Sequence, residues 1–148
     1  MAQPLGIYIH ITFCKSKCDY CDFYSLAGRE DAIDRYQKAL LSHIKTLAPF
    51  LKGRPVDTIY FGGGTPSYYG EKRLREVLSS LLRHFSVNRS AEITLECNPD
   101  SVDLRSMAKL RRAGFNRVSM GMQSADAQQL HCIHRIHTPQ QVSDAVHD

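Results

Sequence analysis

A chain of 148 residues can bury a real core as one domain, and 43% hydrophobic with 23% charged residues excludes a disordered or collagen-like polymer. The net charge of +4 is modest and no run of Lys or Arg is long enough to form a nucleic-acid footprint, so a nucleic-acid partner is not expected. No apolar stretch approaches the roughly 20 residues of a membrane span, so no integral membrane segment is expected either.

The first stretch, "MAQPLGIYIHITFC", lacks a basic region and a continuous apolar run, so it does not read as a signal peptide. The chain is therefore expected in the cytoplasm, where thiols stay reduced and clustered cysteines bind metal or do chemistry more often than they pair. Leu5, Ile7, Ile9 and Ile11 alternate with Gly6, Tyr8 and His10, the period-two pattern of a strand. A cysteine loop follows at once. Ile33, Tyr36, Leu40, Ile44 and Leu47 then recur at helical spacing across 31–47, and Pro49 closes that helix.

"VDTIYF" (56–61) predicts a second strand, followed by the glycine-rich loop "GGGTPS" (62–67). Leu74, Val77, Leu78, Leu81, Leu82 and Phe85 predict the next helix. "AEITLE" (91–96) predicts a third strand with "CNPDS" as its exit. The helix carrying Leu104, Met107 and Leu110 should stop at Gly114, a position suited to a positive-φ cap. "NRVSMGMQ" (116–123) alternates again as a fourth strand, with Val118, Met120 and Met122 on one face. After an irregular or short helical piece, Thr138, Pro139 and Gln141 set out the capping box of a last helix.

Strands separated by helices run parallel, so the order β-α-β-α-β-α-β-α predicts an α/β fold built on a parallel sheet. The last helix starts near Thr138 and no further strand follows for it to pack beside. Four parallel strands suit an open sheet, whereas a closed barrel needs more. Residues 1–148 are thus expected to be the N-terminal portion of a larger domain.

In parallel α/β sheets ligands gather at the carboxyl ends of the strands. Those ends carry Cys14–Cys21, Gly62–Thr65, Glu96 and Gln123, which places one site on that rim. Cys14, Cys18 and Cys21 have the spacing C-x3-C-x2-C, and three thiolates on one loop suit either zinc or an iron–sulfur cluster. Structural zinc takes four ligands, for which His10, Cys97 or Cys132 would have to supply the last, none at a recognisable zinc spacing. A 4Fe–4S cluster on three cysteines leaves one iron open for a small molecule. Unliganded buried thiols fit the solvent-type neighbours Lys15, Ser16, Lys17 and Asp19 poorly. The glycine loop lets backbone approach a ligand but is no P-loop, because no Gly-Lys-Ser/Thr follows. Glu96, Gln123 and Arg135 are ambiguous alone. His131, His134 and His137 raise a second, weaker metal or heme reading, and Cys97 and Cys132 read as free thiols.

Taken together, "YIHITFCKSKCDYCDF", "FGGGTPS", "LECNPDS" and "NRVSMGMQS…HRIHT" resemble the radical S-adenosylmethionine (SAM) superfamily. Within it they are similar to the group of HemW-type heme chaperones and oxygen-independent coproporphyrinogen III oxidases. The resemblance runs from Tyr8 to Thr138. It implies a partial parallel (β/α) barrel of about four β/α units and a 4Fe–4S cluster on Cys14, Cys18 and Cys21. It further implies SAM on the open iron, contacted by Tyr8, Tyr20, Gly63, Gly64, Thr65, Glu96, Gln123 and Arg135. The glycine amides and Glu96 would hold the methionine ammonium, and Gln123 and Arg135 the ribose or carboxylate. One electron would cleave SAM to a 5′-deoxyadenosyl radical, with a flavodoxin- or ferredoxin-like reductant as its source.

The oxidases continue the motif with a fourth cysteine two positions after the third. Here that position is Phe23, which resembles the heme-chaperone branch. That branch implies heme as a ligand and a heme-acceptor protein as a partner. The other readings are oxidative decarboxylation of coproporphyrinogen III and a non-catalytic remnant. The chain departs from the group at Thr12, where proline is usual, at Ala125, where an aromatic is usual, and at His134, where glycine is usual. The last puts a side chain beside Arg135.

Overall fold

The computed structural model of the chain describes residues 3–147. In chain order the elements are β1 (Leu5–Ile11), β2 (Phe13–Cys14), β3 (Leu26–Ala27), α1 (Ile33–Leu47), β4 (Pro55–Gly63), α2 (Pro66–Tyr69) and α3 (Glu71–His84). They continue as β5 (Ser86–Cys97), α4 (Leu104–Ala113), β6 (Arg117–Met120), α5 (Ala127–Cys132) and α6 (Pro139–His147). Strands β1, β4, β5 and β6 form one sheet in that order, and every pair in it is parallel. The parallel α/β arrangement expected from the alternation is therefore present.

The register explains the core. Ile9 lies opposite Phe61, Phe61 opposite Leu95, and the preceding row holds Ile7, Ile59 and Ile93. Helices α1, α3 and α4 close over that face with Ile33, Ile44, Leu74, Val77, Leu78, Leu81 and Leu110. The other face carries Tyr8, Tyr60, Glu96 and Ser119 at its strand ends, because successive side chains alternate across a strand. In α3 the buried set at i, i+3, i+4 and i+7 is Leu74, Val77, Leu78 and Leu81, whereas Leu82 is left exposed. At 100° per residue Leu82 falls past the edge of that stripe. Leu47 and Leu104, at the ends of α1 and α4, are likewise exposed.

Four boundaries depart from the sequence expectation, the first being that β4 runs on through Gly62 and Gly63, which pair with His10 and Ile11 of β1. β5 starts at Ser86 rather than residue 91, because its polar first half pairs with β4 through a register shift between Val56 and Thr58. β6 ends at Met120 rather than residue 123. There the Gly121 carbonyl accepts a 2.8 Å bond from Arg135, and Gln123 turns to φ 64°. The stretch after the glycine loop, read as loop, forms the short α2 with Pro66 in its first turn. The helix ends behave as expected. Gly114 stops α4 at φ 122°. Thr138 Oγ1 accepts from the Gln141 amide at 3.2 Å while Gln141 Oε1 accepts from the Thr138 amide at 2.8 Å.

Candidate metal centre

The cysteine loop is closed at its base. β2 and β3 pair in parallel, Phe13 opposite Leu26 and Cys14 opposite Ala27, and the Leu26 amide bonds the Thr12 carbonyl at 2.7 Å. Within the loop the Cys21 amide bonds the Cys18 carbonyl at 3.0 Å, a tight turn that keeps these two cysteines together. Lys17 Nζ donates to the Phe23 carbonyl at 2.9 Å. Thr12, at the usual proline position, is buried and donates to the Tyr24 carbonyl at 3.4 Å, so it serves the loop as a hydroxyl.

The glycine loop is stitched beneath it. The Gly64 amide bonds the Ile11 carbonyl at 2.7 Å and the Thr65 amide bonds the Phe13 carbonyl at 2.8 Å. A Cβ on Gly64 would stand 2.8 Å from the Phe13 carbonyl oxygen and 2.9 Å from Cys14 Sγ. Gly63 adopts φ 115°, where a side chain is strained and would meet the His10 ring at 2.8 Å. Thr65 Oγ1 donates to Cys14 Sγ at 3.5 Å.

A cavity of about 220 Å³ opens where these loops meet. Cys14, Cys18 and Cys21 line it together with Tyr20, Gly63, Gly64 and Thr65. Glu96 comes from the end of β5, Gln123 from the turn after β6 and Arg135 from the connection between α5 and α6. Of the predicted residues only Tyr8 is not in its wall. Tyr8 stands beside it, its ring stacked on Tyr60 at 6.0 Å. Burial, then the charge of Glu96, raises the Tyr8 phenol above the ordinary tyrosine value.

Glu96 accepts from the Tyr60 hydroxyl at 2.6 Å and from the Gly63 amide at 3.2 Å. This overturns one detail of the sequence reading: the Gly63 amide points at Glu96, and an N–H donor cannot hold an ammonium in any case. Arg135 donates to the Gly121 carbonyl at 2.8 Å, to Asn98 Oδ1 at 3.0 Å and to Cys18 Sγ at 3.7 Å. Its Nε is buried without a partner. Asn98 escaped the sequence reading although it lies in "CNPDS". It ties Arg135 to the glycine loop through a 3.5 Å bond to Thr65 Oγ1. His134 takes φ 52°, a left-handed conformation natural to glycine, and its Nδ1 bonds Asp19 Oδ2 at 2.6 Å. The imidazole thus has its own partner and leaves the guanidinium undisturbed. Ala125, where an aromatic is usual, is exposed.

Of the other candidates, Cys97 lines the cavity wall and the histidines are engaged elsewhere. His10 bonds Tyr8 through Nδ1 at 3.1 Å and the Tyr24 carbonyl through Nε2 at 2.8 Å, so both nitrogens are engaged. His137 is buried against the Met122 carbonyl at 3.0 Å while His134 turns to Asp19. Among the described residues no three His, Cys, Asp or Glu side chains converge on a point that one metal ion could occupy. Zinc demands that convergence, at about 2.3 Å per thiolate, whereas a cluster takes each thiolate on a separate iron. Cys14, Cys18 and Cys21 share one cavity wall.

Cys132 is exposed on α5 and Cys97 is buried. Burial pushes the Cys97 thiol up to about 12, so it stays protonated at any ordinary pH. Iodoacetamide at pH 8 should therefore label Cys132 readily and Cys97 only after unfolding, read by peptide mass spectrometry. Labelling of Cys97 at the rate of Cys132 in the folded chain would contradict that burial.

Comparisons with known proteins bear on the family and the fold. A family model for the radical SAM superfamily matches residues 8–148. The chain is 39% identical over 140 residues to heme chaperone HemW of Mycobacterium tuberculosis (strain ATCC 25618 / H37Rv), covering 93% of this chain and 36% of that protein. Against heme chaperone HemW of Escherichia coli (strain K12) it is 39% identical over 143 residues, 96% of this chain and 38% of that one. Oxygen-independent coproporphyrinogen III oxidase of Escherichia coli (strain K12) matches at 37% over 122 residues, 82% of this chain and 27% of that one. Among solved structures, coproporphyrinogen III oxidase (HemN) from Escherichia coli, a radical SAM enzyme, superposes with a TM-score of 0.92 at 31% identity. That match covers 99% of this chain and 34% of the solved one, so the chain spans well under half the length of these relatives.

Proposed function

The chain belongs to the radical SAM superfamily, and from that premise we propose that it is a heme-handling protein of the HemW type, holding a 4Fe–4S cluster on Cys14, Cys18 and Cys21. The observation that carries the reading is one cavity wall shared by these three thiols, the glycine loop and Phe23. Phe23 stands where a fourth cysteine would extend the motif, and a phenyl ring offers no ligand there. The residues present fit the group. Gly64 leaves Cys14 the space a Cβ would take, and three thiols supply the soft donors that iron–sulfur clusters require.

SAM would sit against the same wall. Glu96 keeps lone pairs beyond those given to Tyr60 and Gly63, and these suit the ammonium of the amino-acid end. The unpartnered Nε of Arg135 supplies a donor for a carboxylate or a ribose oxygen, and Gln123 a second polar contact from the neighbouring turn. Tyr20 covers the cavity with a half-exposed ring. When bound, cluster and SAM supply one-electron reductive cleavage and the radical that follows from it. The contribution of the protein is to orient them and to keep polar groups paired around them.

Anaerobic reconstitution with iron and sulfide should give a brown chain with about one 4Fe–4S unit. Cys14→Ala, Cys18→Ala and Cys21→Ala should each lose it, and Cys97→Ala and Cys132→Ala should keep it. A colourless chain that takes stoichiometric zinc would sink the cluster reading. Hemin titration of the reconstituted protein tests the heme assignment. Formation of protoporphyrinogen from coproporphyrinogen III with SAM and a reductant would replace it with the oxidase reading.

A further inference from the structure

The cysteine loop carries tethers that its spacing alone does not reveal. Between Cys14 and Cys21 lie two charged residues that reach partners far along the chain. Lys15 Nζ lies 3.7 Å from Asp100, a carboxylate only 9% exposed at the exit of β5. Asp19 Oδ2 lies 2.6 Å from His134 Nδ1, in the connection between α5 and α6. Next to His134, Arg135 touches Cys18 and is held by Asn98 and Gly121.

We propose that Asp19 and His134 form a latch that draws the α5–α6 connection onto the cysteine loop and thereby positions Arg135 against Cys18 and the cavity. The pair joins residues 115 positions apart, so it links the first strand unit to the last one described. His134 holds a positive φ to make the bond, a conformation a non-glycine residue adopts only when its surroundings demand it. Both side chains are 65% exposed, and exposed ion pairs contribute little to global stability. The effect of the pair must therefore be local. It sets how often the loop opens and leaves the melting of the domain unchanged. Asp19 and His134 are positioning residues: neither lines the cavity among the described residues, and both act through their neighbours Cys18 and Arg135.

The latch belongs to the protein itself, so it is read on the metal-free full chain and stands apart from the success or failure of cluster loading. Rates of iodoacetamide labelling at Cys18 and Cys21 are measured alongside amide exchange over residues 15–25. His134→Gly, which suits the positive φ and removes the imidazole, should raise labelling about threefold with an unchanged or higher melting temperature. Asp19→Ala should do the same, and the double variant should do no more than either single. His134→Asn tolerates the left-handed backbone and carries an amide donor at the branch position of Nδ1, so it should restore the slow rate. Amide exchange at Phe61, fully buried in the central strand and outside the cavity wall, is the internal control for global opening. Unchanged labelling in both single variants would overturn the latch. So would effects that multiply in the double variant, or a matching rise in exchange at Phe61.

Discussion

Gly64→Ala is expected to abolish cluster uptake while the sheet stays folded. The added methyl carbon would stand 2.8 Å from the Phe13 carbonyl oxygen, 2.9 Å from Cys14 Sγ and 3.0 Å from the Thr12 carbonyl carbon. Two of these are backbone atoms, held by the bonds from Gly64 to Ile11 and from Thr65 to Phe13. A flexible side chain could swing aside, but this backbone cannot move without tearing those bonds. The strain is relieved by pushing out the soft neighbour, Cys14, which is the first cluster ligand proposed here. Overpacking of this kind costs about 1–3 kcal/mol, enough to cut iron bound per chain roughly tenfold or more at limiting iron. Iron content and the visible charge-transfer bands read the loss, and far-ultraviolet circular dichroism reads the retained fold. Full iron loading of the alanine variant would show that the glycine loop is no part of the site.

Phe61→Ala should carry the largest loss of stability. Phe61 is fully buried in the central strand β4, in register between Ile9 and Leu95, and its ring centroid lies 5.0 Å from that of Phe115. Removing a buried phenyl ring sacrifices its transfer free energy and leaves a cavity that the flanking strands cannot collapse to fill, a cost of about 3–5 kcal/mol. Against a typical total of about 5–15 kcal/mol this is a large fraction. The damage should spread toward the site, because Asn116 beside Phe115 bonds the Ile93 amide and the Ala91 carbonyl and so places the start of β6. Urea denaturation of the two chains measures it. A loss under about 1 kcal/mol would mean that the ring is not packed as described.

The core was largely readable in advance because burial follows local period. Alternation in Ile7, Ile9 and Ile11 and the i, i+3, i+4 stripe of α3 depend only on neighbouring residues and on the geometry of strand and helix. Errors collected where that rule loses its hold. Leu82 and Leu104 are apolar yet exposed, since a stripe edge and a helix end fall outside the face turned to the sheet. β6 was read three residues past its end, since the alternation of Met120 and Met122 carries no information about the Arg135 guanidinium that takes the Gly121 carbonyl.

The site divides in the same way. The three cysteines, the glycine loop, Glu96 and Gln123 were visible because each follows a strand, and parallel strands deliver their carboxyl ends to one rim, whereas Arg135, after α5, was named only through the resemblance. Asn98 was passed over because an asparagine after a strand has no signature until its partners Arg135 and Thr65 are known. His134 read as an intrusion beside Arg135. Its bond to Asp19 was invisible, for nothing in "CKSKCDYC" or "HRIH" records that the two stretches face each other.

By itself, then, the sequence determined the strand and helix alternation, the spacing of the thiols and the lack of a fourth cysteine at Phe23, all properties carried by residues close in the chain. Only the tertiary structure decided that the thiols line one cavity with Glu96, Gln123 and Arg135, that the Gly63 amide serves Glu96, and that Asp19 meets His134. Those contacts join residues from 33 to 115 positions apart. Their distances are set by how the sheet orders its strands, and local periodicity does not encode that order.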